Sequence, residues 1–253
     1  MISKVPYIRQ SRGGGLYDFA KKKYVKTHIP NSVIKNGYRI RTSGCGQCST
    51  AMALYYCLGK YFEPNKLKDK YNPGHGSSHN IGVYEASKRG VYTIHTDNYD
   101  LAKKWISCGA IALNIQGKGN FTKAGHFILW IGVVRDKVAV NDPASPRRSY
   151  RMSGKVWTKG QFHPTTKKYG YGYTIFFPHP LKTVKIGDKG EDVVRWQLFL
   201  KWKGYDITCD GAFGAKTEKA TVQYQKASKL ASDGIAGPKT RKNAIKEYQN
   251  AIK

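Results

Sequence analysis

Long apolar runs are missing from this sequence of 253 residues, whose longest apolar stretch, Phe127 to Val134, has only the length of a strand. We therefore expect no transmembrane segment. The amino-terminal stretch MISKVPYIRQSRGGG also lacks the apolar core and the small-residue cleavage site of a signal peptide. These absences predict a protein that is made in a cytoplasm and stays there unless something other than a signal peptide releases it.

Cysteine is sparse and odd in number. The five cysteines are at positions 45, 48, 57, 108 and 209. Such a set argues against a disulfide framework and is typical of a protein made in a reducing compartment.

Acidic residues are also few, with 16 Asp and Glu against 44 Lys and Arg and a net charge of +28. Residues 1–182 have 30 basic and 8 acidic residues, whereas residues 183–253 have 14 and 8. So large a positive charge indicates an extended anionic partner: nucleic acid, an acidic membrane, or a cell wall that bears anionic polymers. The sequence has no zinc-finger or RNP motif, so nucleic acid is not the expected partner.

The C-terminal part contains an internal repeat. DGAFGAKTEKATVQYQ starts at Asp210, and DGIAGPKTRKNAIKEYQ starts 23 residues later at Asp233. Each copy has an Asp-Gly turn, a second glycine and a Lys-Thr pair before an amphipathic helix, which predicts Thr217 and Thr240 as helix N-caps. The preceding stretch EDVVRWQLFLKWKGY predicts a further helix that ends at Gly204.

These features predict a small three-helix domain. Residues 183–245 resemble the peptidoglycan-binding domain found at the ends of many cell-wall hydrolases, through the leading GDKGEDV run, the helix-ending Gly-Tyr and both DGxxGxxT turns. The resemblance implies a bacterial wall ligand, whereas a structural appendage without a ligand is the alternative. The sequence places the boundary of this domain near residues 179–183, after the alternating aromatics of YGYGYTIFFPHP.

Two cysteines three positions apart open the stretch CGQCSTAMALYYCLG. Its apolar spacing predicts a helix that ends at Gly59, with Cys45 at or just before the helix N-terminus. A helix N-terminus favours a thiolate, and the glycines on both sides of Cys45 let a substrate backbone approach closely. Cys45 is therefore the candidate nucleophile.

Three alternatives remain open for these cysteines. Cys48 could be the nucleophile, or the two cysteines could form a redox pair, although no βαβ pattern precedes them. A zinc site would need further ligands, and His75 and His79 have suitable spacing, but their Gly- and Ser-rich surroundings predict a surface loop.

A thiolate nucleophile needs a base and a group that orients the base. The stretch GHFILWIGVVRDKVAVNDPAS predicts a hairpin of two strands, Phe127–Val134 and Val138–Asn141. His126 opens the first strand and Asp142 closes the second, which makes them the candidate base and orienting group. With a turn of three residues centred near Asp136, both side chains project from the same face of the hairpin. The simplest register leaves Asp142 offset along the partner strand, so contact with His126 requires slippage or a bulge.

The order Cys, His, Asp resembles the papain-like arrangement, and residues 4–177 resemble more specifically the C39-like peptidase family. VPYIRQ resembles the opening strand of that family, GCGQCSTAMAL its nucleophile motif, GHFILWIGV its base strand and VNDPAS its acid motif. The resemblance implies Cys45 as nucleophile, His126 as general base and Asp142 as orienting group. It also implies that Gln10 and the Cys45 backbone N–H hold the oxyanion.

The sequence therefore predicts an α+β protein with a papain-like, C39-like cysteine hydrolase domain in residues 1–180, in which an N-terminal helix packs on an antiparallel sheet. A peptidoglycan-binding domain follows in residues 183–253. We expect a phage endolysin that is made in the host cytoplasm, needs no cofactor or metal and cuts an amide bond of peptidoglycan after release. Anionic wall polymers are expected as additional partners. The alternatives are a non-catalytic wall-binding protein with a degenerate hydrolase fold, a leader-peptide-processing peptidase and a nucleic-acid binder.

Overall fold

The computed structural model describes residues 3–10, 15–18, 21–25, 43–67, 80–162 and 172–252. His75 and His79, considered above as zinc ligands, lie outside the described residues, as do residues 169–171 of the alternating aromatic stretch. Within the described ranges no helix is long and apolar enough to cross a membrane.

Nine strands form two antiparallel sheets in the described part of the chain. The strands are β1 (Tyr7–Arg9), β2 (Gly15–Asp18), β3 (Lys23–Val25), β4 (Thr93–Thr96), β5 (Ile111–Gln116), β6 (His126–Val134), β7 (Lys137–Asn141), β8 (Val156–Trp157) and β9 (Tyr173–Phe176). The small sheet has the order β1-β2-β3, and the large sheet has the order β4-β9-β5-β6-β7-β8. All strand pairs with a determined register are antiparallel.

Eight α-helices accompany these sheets in the same residues. They are α1 (Cys45–Leu58), α2 (Asn80–Ser87), α3 (Tyr99–Ser107), α4 (Tyr150–Ser153), α5 (Lys159–Phe162), α6 (Glu191–Trp202), α7 (Ala215–Ala227) and α8 (Pro238–Asn250). The predicted α+β class is confirmed, and so are the helix from Cys45 to Gly59 and the three helices of the C-terminal part.

Helix α1 packs against one face of the large sheet and is buried along almost its whole length. Its apolar side chains share a core with every second residue of β6: Phe127, Leu129 and Ile131. A helix that is apolar all round is expected to be surrounded by protein, as α1 is. Cys45, at the start of α1, is thereby placed beside β6.

The other face of the large sheet is covered by α3, and the C-terminal helices contribute to the apolar core on that side. Ile128 and Trp130 of β6 belong to the same continuous core as Trp196 of α6 and Tyr248 of α8. Tyr92 stacks on Tyr248 with ring centroids 5.9 Å apart. The domain boundary that the sequence places near residues 179–183 stays a prediction, because residues on both sides of it share one apolar core.

The two copies of the sequence repeat fold in the same way. In the first copy the amide nitrogen of Gln197 donates to Asp210 at 2.8 Å and to Thr217 at 3.2 Å, and its oxygen accepts from the Gly211 N–H. In the second copy the side chain of Gln225 makes the equivalent three hydrogen bonds, which join it to Asp233, Gly234 and Thr240. Each glutamine therefore fixes an Asp-Gly turn to the first turn of the next helix.

The prediction that Thr217 and Thr240 are helix N-caps is wrong. The N-caps of α7 and α8 are Gly214 and Gly237, three positions earlier, and neither has a side chain to form the cap. Both threonine hydroxyls are instead buried and face the glutamine amides described above. The tertiary partner explains the error, since a buried amide offers the hydroxyl a contact that the local sequence does not reveal.

The C-terminal part also caps the carboxyl end of α1. Arg195 of α6 is 6% exposed and donates to the Tyr56 carbonyl at 2.7 Å and to the His179 carbonyl at 3.2 Å. The His179 N–H in turn donates to the Cys57 carbonyl at 3.1 Å. The last carbonyls of a helix have no hydrogen-bond donor within the helix. Arg195 and the His179 N–H supply donors to two of these carbonyls of α1.

Replacing Arg195 by methionine is expected to lower the free energy of unfolding by about 3 kcal/mol, because the Tyr56 and His179 carbonyls would lose a charged donor inside the protein. Urea unfolding followed by circular dichroism measures this loss. The matched control is Lys219→Met on α7, which removes one positive charge at an exposed position and should change stability by less than about 0.5 kcal/mol. Equal stability of the two variants would contradict the prediction.

Candidate active site

Cys45 is the first residue of α1, and Gly44 before it is the N-cap without a side-chain cap bond. The thiol is partly accessible. Burial alone would raise the pKa of this thiol, but the hydrogen bond and the positive charge of His126 outweigh burial and lower it. Hydrogen bonds from the backbone at Phe127 and Gly46 lower the pKa further. The environment therefore favours a thiolate at Cys45.

His126 is the first residue of β6 and is only 6% exposed. Burial lowers the pKa of the imidazole, yet hydrogen bonds with Asp142 and Cys45 and the charges of both groups raise it to about 10. The Nε2 atom lies 2.7 Å from Oδ1 of Asp142, which leaves Nδ1 as the ring nitrogen available to Cys45. The contact between the two residues therefore favours a thiolate at Cys45 beside an imidazolium at His126.

A bulge in the hairpin aligns Asp142 with His126. Arg135 and Asp136 form a two-residue turn with positive φ angles, and Gly132 then pairs with Ala139. A regular ladder from that pair would place Asp142 opposite Leu129, on the face away from His126. The register instead shifts by one residue between Trp130 and Gly132, so that Asn141 pairs with Leu129 and Asp142 follows opposite Ile128.

Because side chains on one face of a strand recur every second residue, this shift places Asp142 on the same face as His126. The prediction of a three-residue turn is wrong, because only Arg135 and Asp136 separate the two strands, and it is the bulge that returns Asp142 to the shared face the sequence predicted.

Asp142 is completely buried and is held from several sides. Its Oδ1 accepts from the Ala144 N–H at 2.8 Å as well as from His126, and its Oδ2 accepts from Arg148 Nε at 2.5 Å. Burial raises the pKa of this carboxyl, but His126 and Arg148 lower it below the ordinary value. Asp142 is therefore ionised and rigidly placed behind His126.

Three further residues in this network were not identified from the sequence. The Ser149 hydroxyl accepts from the Asp142 N–H at 2.8 Å, and the Tyr7 hydroxyl donates to the Asp142 carbonyl at 3.0 Å. The third residue is Arg148. Arg148 and Ser149 belong to the stretch SPRRS, which closely follows Asp142, so a basic residue six positions after the candidate acid was the available signal. Tyr7 gives no such signal, because 135 positions separate it from Asp142.

Gln10 is brought next to this loop. Its backbone N–H donates to the Pro143 carbonyl at 2.8 Å, immediately after Asp142. The side chain is 6% exposed, and its Oε1 is buried without a hydrogen-bond partner. Rotation of the terminal amide exchanges this oxygen with the NH₂ group, so the same position can present a donor. The role of Gln10 in holding an oxyanion stays a prediction.

The neighbouring cysteines have a different environment from Cys45. Cys48 is completely buried, and burial followed by the charge of Cys45 raises the pKa of its thiol well above the ordinary value. Burial likewise raises the pKa of Cys57 to about 12. Both thiols therefore stay protonated at neutral pH. Among the described residues, no group of three or more His, Cys, Asp or Glu side chains is arranged to hold a metal ion.

Comparison with known proteins identifies the C-terminal part. Residues 189–244 match the family model described as "Putative peptidoglycan binding domain". The chain is 38% identical over 66 residues to the spore cortex-lytic enzyme of Bacillus cereus, a match that covers 26% of each protein. The chain thus spans about a quarter of the length of this curated relative.

Two solved structures are also similar to parts of the chain. The endolysin of Burkholderia phage AP3 is 38% identical over 25% of each chain, with a TM-score of 0.25. A "putative C39-like peptidase" from Bacillus anthracis is 14% identical over 53% of this chain and 88% of its own, with a TM-score of 0.43.

The pH dependence of thiol alkylation tests the electrostatics of the site. The thiolate reacts with iodoacetamide, so the rate at Cys45 rises as pH increases through its pKa. Because His126 lowers that pKa, the native midpoint is expected at a lower pH than in the urea-unfolded chain. Peptide-resolved mass spectrometry distinguishes Cys45 from the other cysteines. In His126→Ala the native midpoint should rise to the unfolded value or above it, and a native midpoint at or above the unfolded one in the wild type would contradict the assignment.

Proposed function

We propose that this protein is a peptidoglycan hydrolase of the endolysin type, which cuts an amide bond of the bacterial wall peptide. The observation that supports this function is the linked set of Cys45, His126 and Asp142, with a lowered thiol pKa, in a chain whose residues 189–244 match a peptidoglycan-binding domain. A spore cortex-lytic enzyme and a phage endolysin are each 38% identical to about a quarter of the chain.

In the proposed reaction the Cys45 thiolate attacks the carbonyl carbon of the amide, and a carbon–sulfur bond forms as the carbonyl oxygen becomes an oxyanion. The Cys45 backbone N–H, at the start of α1, and the Gln10 side-chain amide hold that oxyanion. Removing one such donor typically slows a reaction by about 100- to 1000-fold.

His126 then gives its proton to the amide nitrogen, the carbon–nitrogen bond breaks, and the amine leaves. The imidazole, now neutral, takes a proton from water, which attacks the acyl-enzyme and releases the carboxylate together with Cys45. Asp142 holds the ring of His126 in place through both steps and stabilises its charged form. The proposed arrangement is papain-like, with the nucleophile at a helix start and the base and acid on adjacent strands.

The C-terminal helices would hold the enzyme on its insoluble substrate, and the net charge of +28 would add attraction to anionic wall polymers. Attraction of this kind weakens as salt screens the charges. We also propose that the protein is made in the host cytoplasm as a phage product and acts on the wall after release.

Digestion of purified peptidoglycan tests the proposed function. Cleavage of an amide bond produces one new amino group and one new carboxylate, whereas cleavage of a glycosidic bond produces a reducing sugar end. We expect amino groups to appear without reducing ends, and prior alkylation with iodoacetamide to stop the reaction. Mass spectrometry of the soluble fragments then identifies which amide is cut.

Two results would contradict this proposal. Binding to walls without release of any fragment would indicate a non-catalytic wall-binding protein. Release of reducing sugar ends would indicate a glycosidase instead of an amide hydrolase.

A further inference from the structure

Gln10 directly follows β1, which belongs to a different sheet from His126. Within the described ranges β1 pairs with β2 alone, whereas His126 opens β6 of the large sheet. The terminal amide of Gln10 gains no anchor through its Oε1, which is buried without a hydrogen-bond partner. The place of this amide relative to Cys45 therefore depends on how the amino-terminal segment, residues 3–10, is attached to the large sheet.

The bulge in the hairpin provides the first attachment. The register shift leaves Ile131 out of the pairing between β6 and β7. The Ile131 carbonyl accepts from the Ser3 N–H at 3.0 Å. The residue at the irregularity that aligns Asp142 with His126 thus also holds the start of the amino-terminal segment.

Asn141 links this segment to two other elements. It is completely buried at the end of β7. Its Nδ2 donates to the Pro6 carbonyl at 3.2 Å and lies 3.9 Å from the sulfur of Met52 on α1. The side chain of Asn141 thus contacts both the nucleophile helix and the segment that ends at Gln10.

The Tyr7 side chain and the Gln10 backbone complete the attachment. The completely buried Tyr7 hydroxyl donates to the Asp142 carbonyl at 3.0 Å. Burial raises the pKa of this hydroxyl, so it keeps the proton that it donates. The Gln10 N–H donates to the next carbonyl, that of Pro143, at 2.8 Å. Two successive carbonyls after β7 are therefore bound by the residues at the start and just past the end of β1.

We propose that Tyr7 and Asn141 are positioning residues, which hold the amino-terminal segment so that the Gln10 amide is placed for the oxyanion formed at Cys45. Both act through Gln10 and not on the substrate. A preorganised donor loses its effect when it is displaced, because the hydrogen bond to the developing charge depends on distance and direction. This inference rests on the proposed function, since it requires that Cys45 attacks an amide.

Tyr7→Phe tests the proposal, because it removes one hydroxyl and keeps the ring that fills the core. We expect the maximal rate of amino-group release from walls to fall by about tenfold, with the wall concentration for half-maximal rate unchanged. In a Gln10→Ala background the same change should slow the reaction by less than about twofold, because the amide that Tyr7 positions is gone. A full tenfold effect in that background would overturn the proposal.

Two further variants accompany this test. Asn141→Leu keeps the volume of the side chain but loses the donor to the Pro6 carbonyl, and its effect should depend on Gln10 in the same way. Tyr99→Phe is the matched control, since it removes a tyrosine hydroxyl from the core on the other face of the large sheet. We expect Tyr99→Phe to keep the rate within about twofold.

Measurements without substrate distinguish failure of this inference from failure of the proposed function. Exchange of the Gln10 amide hydrogen, followed by NMR, should become about tenfold faster in Tyr7→Phe and stay unchanged in Tyr99→Phe. The midpoint of Cys45 alkylation should stay at the wild-type pH, because the Asp142 carboxylate keeps its contact with His126.

Unchanged exchange at Gln10 in Tyr7→Phe would contradict the attachment itself. A shifted alkylation midpoint would show that Tyr7 acts through Asp142, which also overturns the proposal. A wild-type protein that releases no wall fragment contradicts the proposed function, and the exchange result still reports on the attachment.

Discussion

Replacing Cys45 by alanine is expected to reduce the release of amino groups from purified walls by about 10⁴-fold or more, because no other group in the site can form the acyl-enzyme. Binding to the same walls should persist, since the C-terminal helices are far along the chain from this residue and match a peptidoglycan-binding domain. Fragment release and pelleting with insoluble walls measure the two properties separately.

The matched control is Cys48→Ser, one helical turn further along α1. Cys48 is completely buried with a raised thiol pKa, so it has no thiolate to lose at neutral pH. We expect this variant to keep activity within about tenfold, with a stability cost of about 1 to 2 kcal/mol for the buried hydroxyl. Activity that survives in Cys45→Ala but disappears in Cys48→Ser would reverse the assignment of the nucleophile.

Replacing Asp142 by asparagine is expected to slow wall hydrolysis by about 10²- to 10⁴-fold near neutral pH. The amide can still accept from the Ala144 N–H, but it no longer stabilises the charged imidazole at 2.7 Å. The pKa of His126 should therefore fall and that of Cys45 should rise, since each charge stabilises the other.

Alkylation of Cys45 reports the same change without a substrate. In Asp142→Asn its midpoint should move to higher pH, because less imidazolium is available to stabilise the thiolate. Arg148→Met is the companion variant: it removes the other charged partner of Asp142 but leaves the contact with His126 intact. We expect it to keep more activity than Asp142→Asn. An alkylation profile in Asp142→Asn that matches the wild type would show that Asp142 does not support the pair.

The sequence alone determined the features that depend on local patterns. The apolar spacing after Cys45 predicted α1 and its end at Gly59, because side chains one turn apart share a face wherever a helix forms. The two copies of the Asp-Gly repeat predicted α7 and α8 for a similar reason. His126 and Asp142 stood out because each is a polar residue at the end of an otherwise apolar strand.

Tertiary structure decided the features that join distant parts of the chain. The register shift between Trp130 and Gly132 turns Asp142 toward His126. A glycine inside a strand can mark a bulge, but only the pairing of the two strands shows how far the register shifts. Thr217 was misjudged as a cap because its true partner, Gln197, is 20 residues away. Arg195 donates to the carbonyl of Tyr56, 139 positions earlier, and so caps the end of α1. Local spacing determines which elements form, but long-range packing determines which side chains meet.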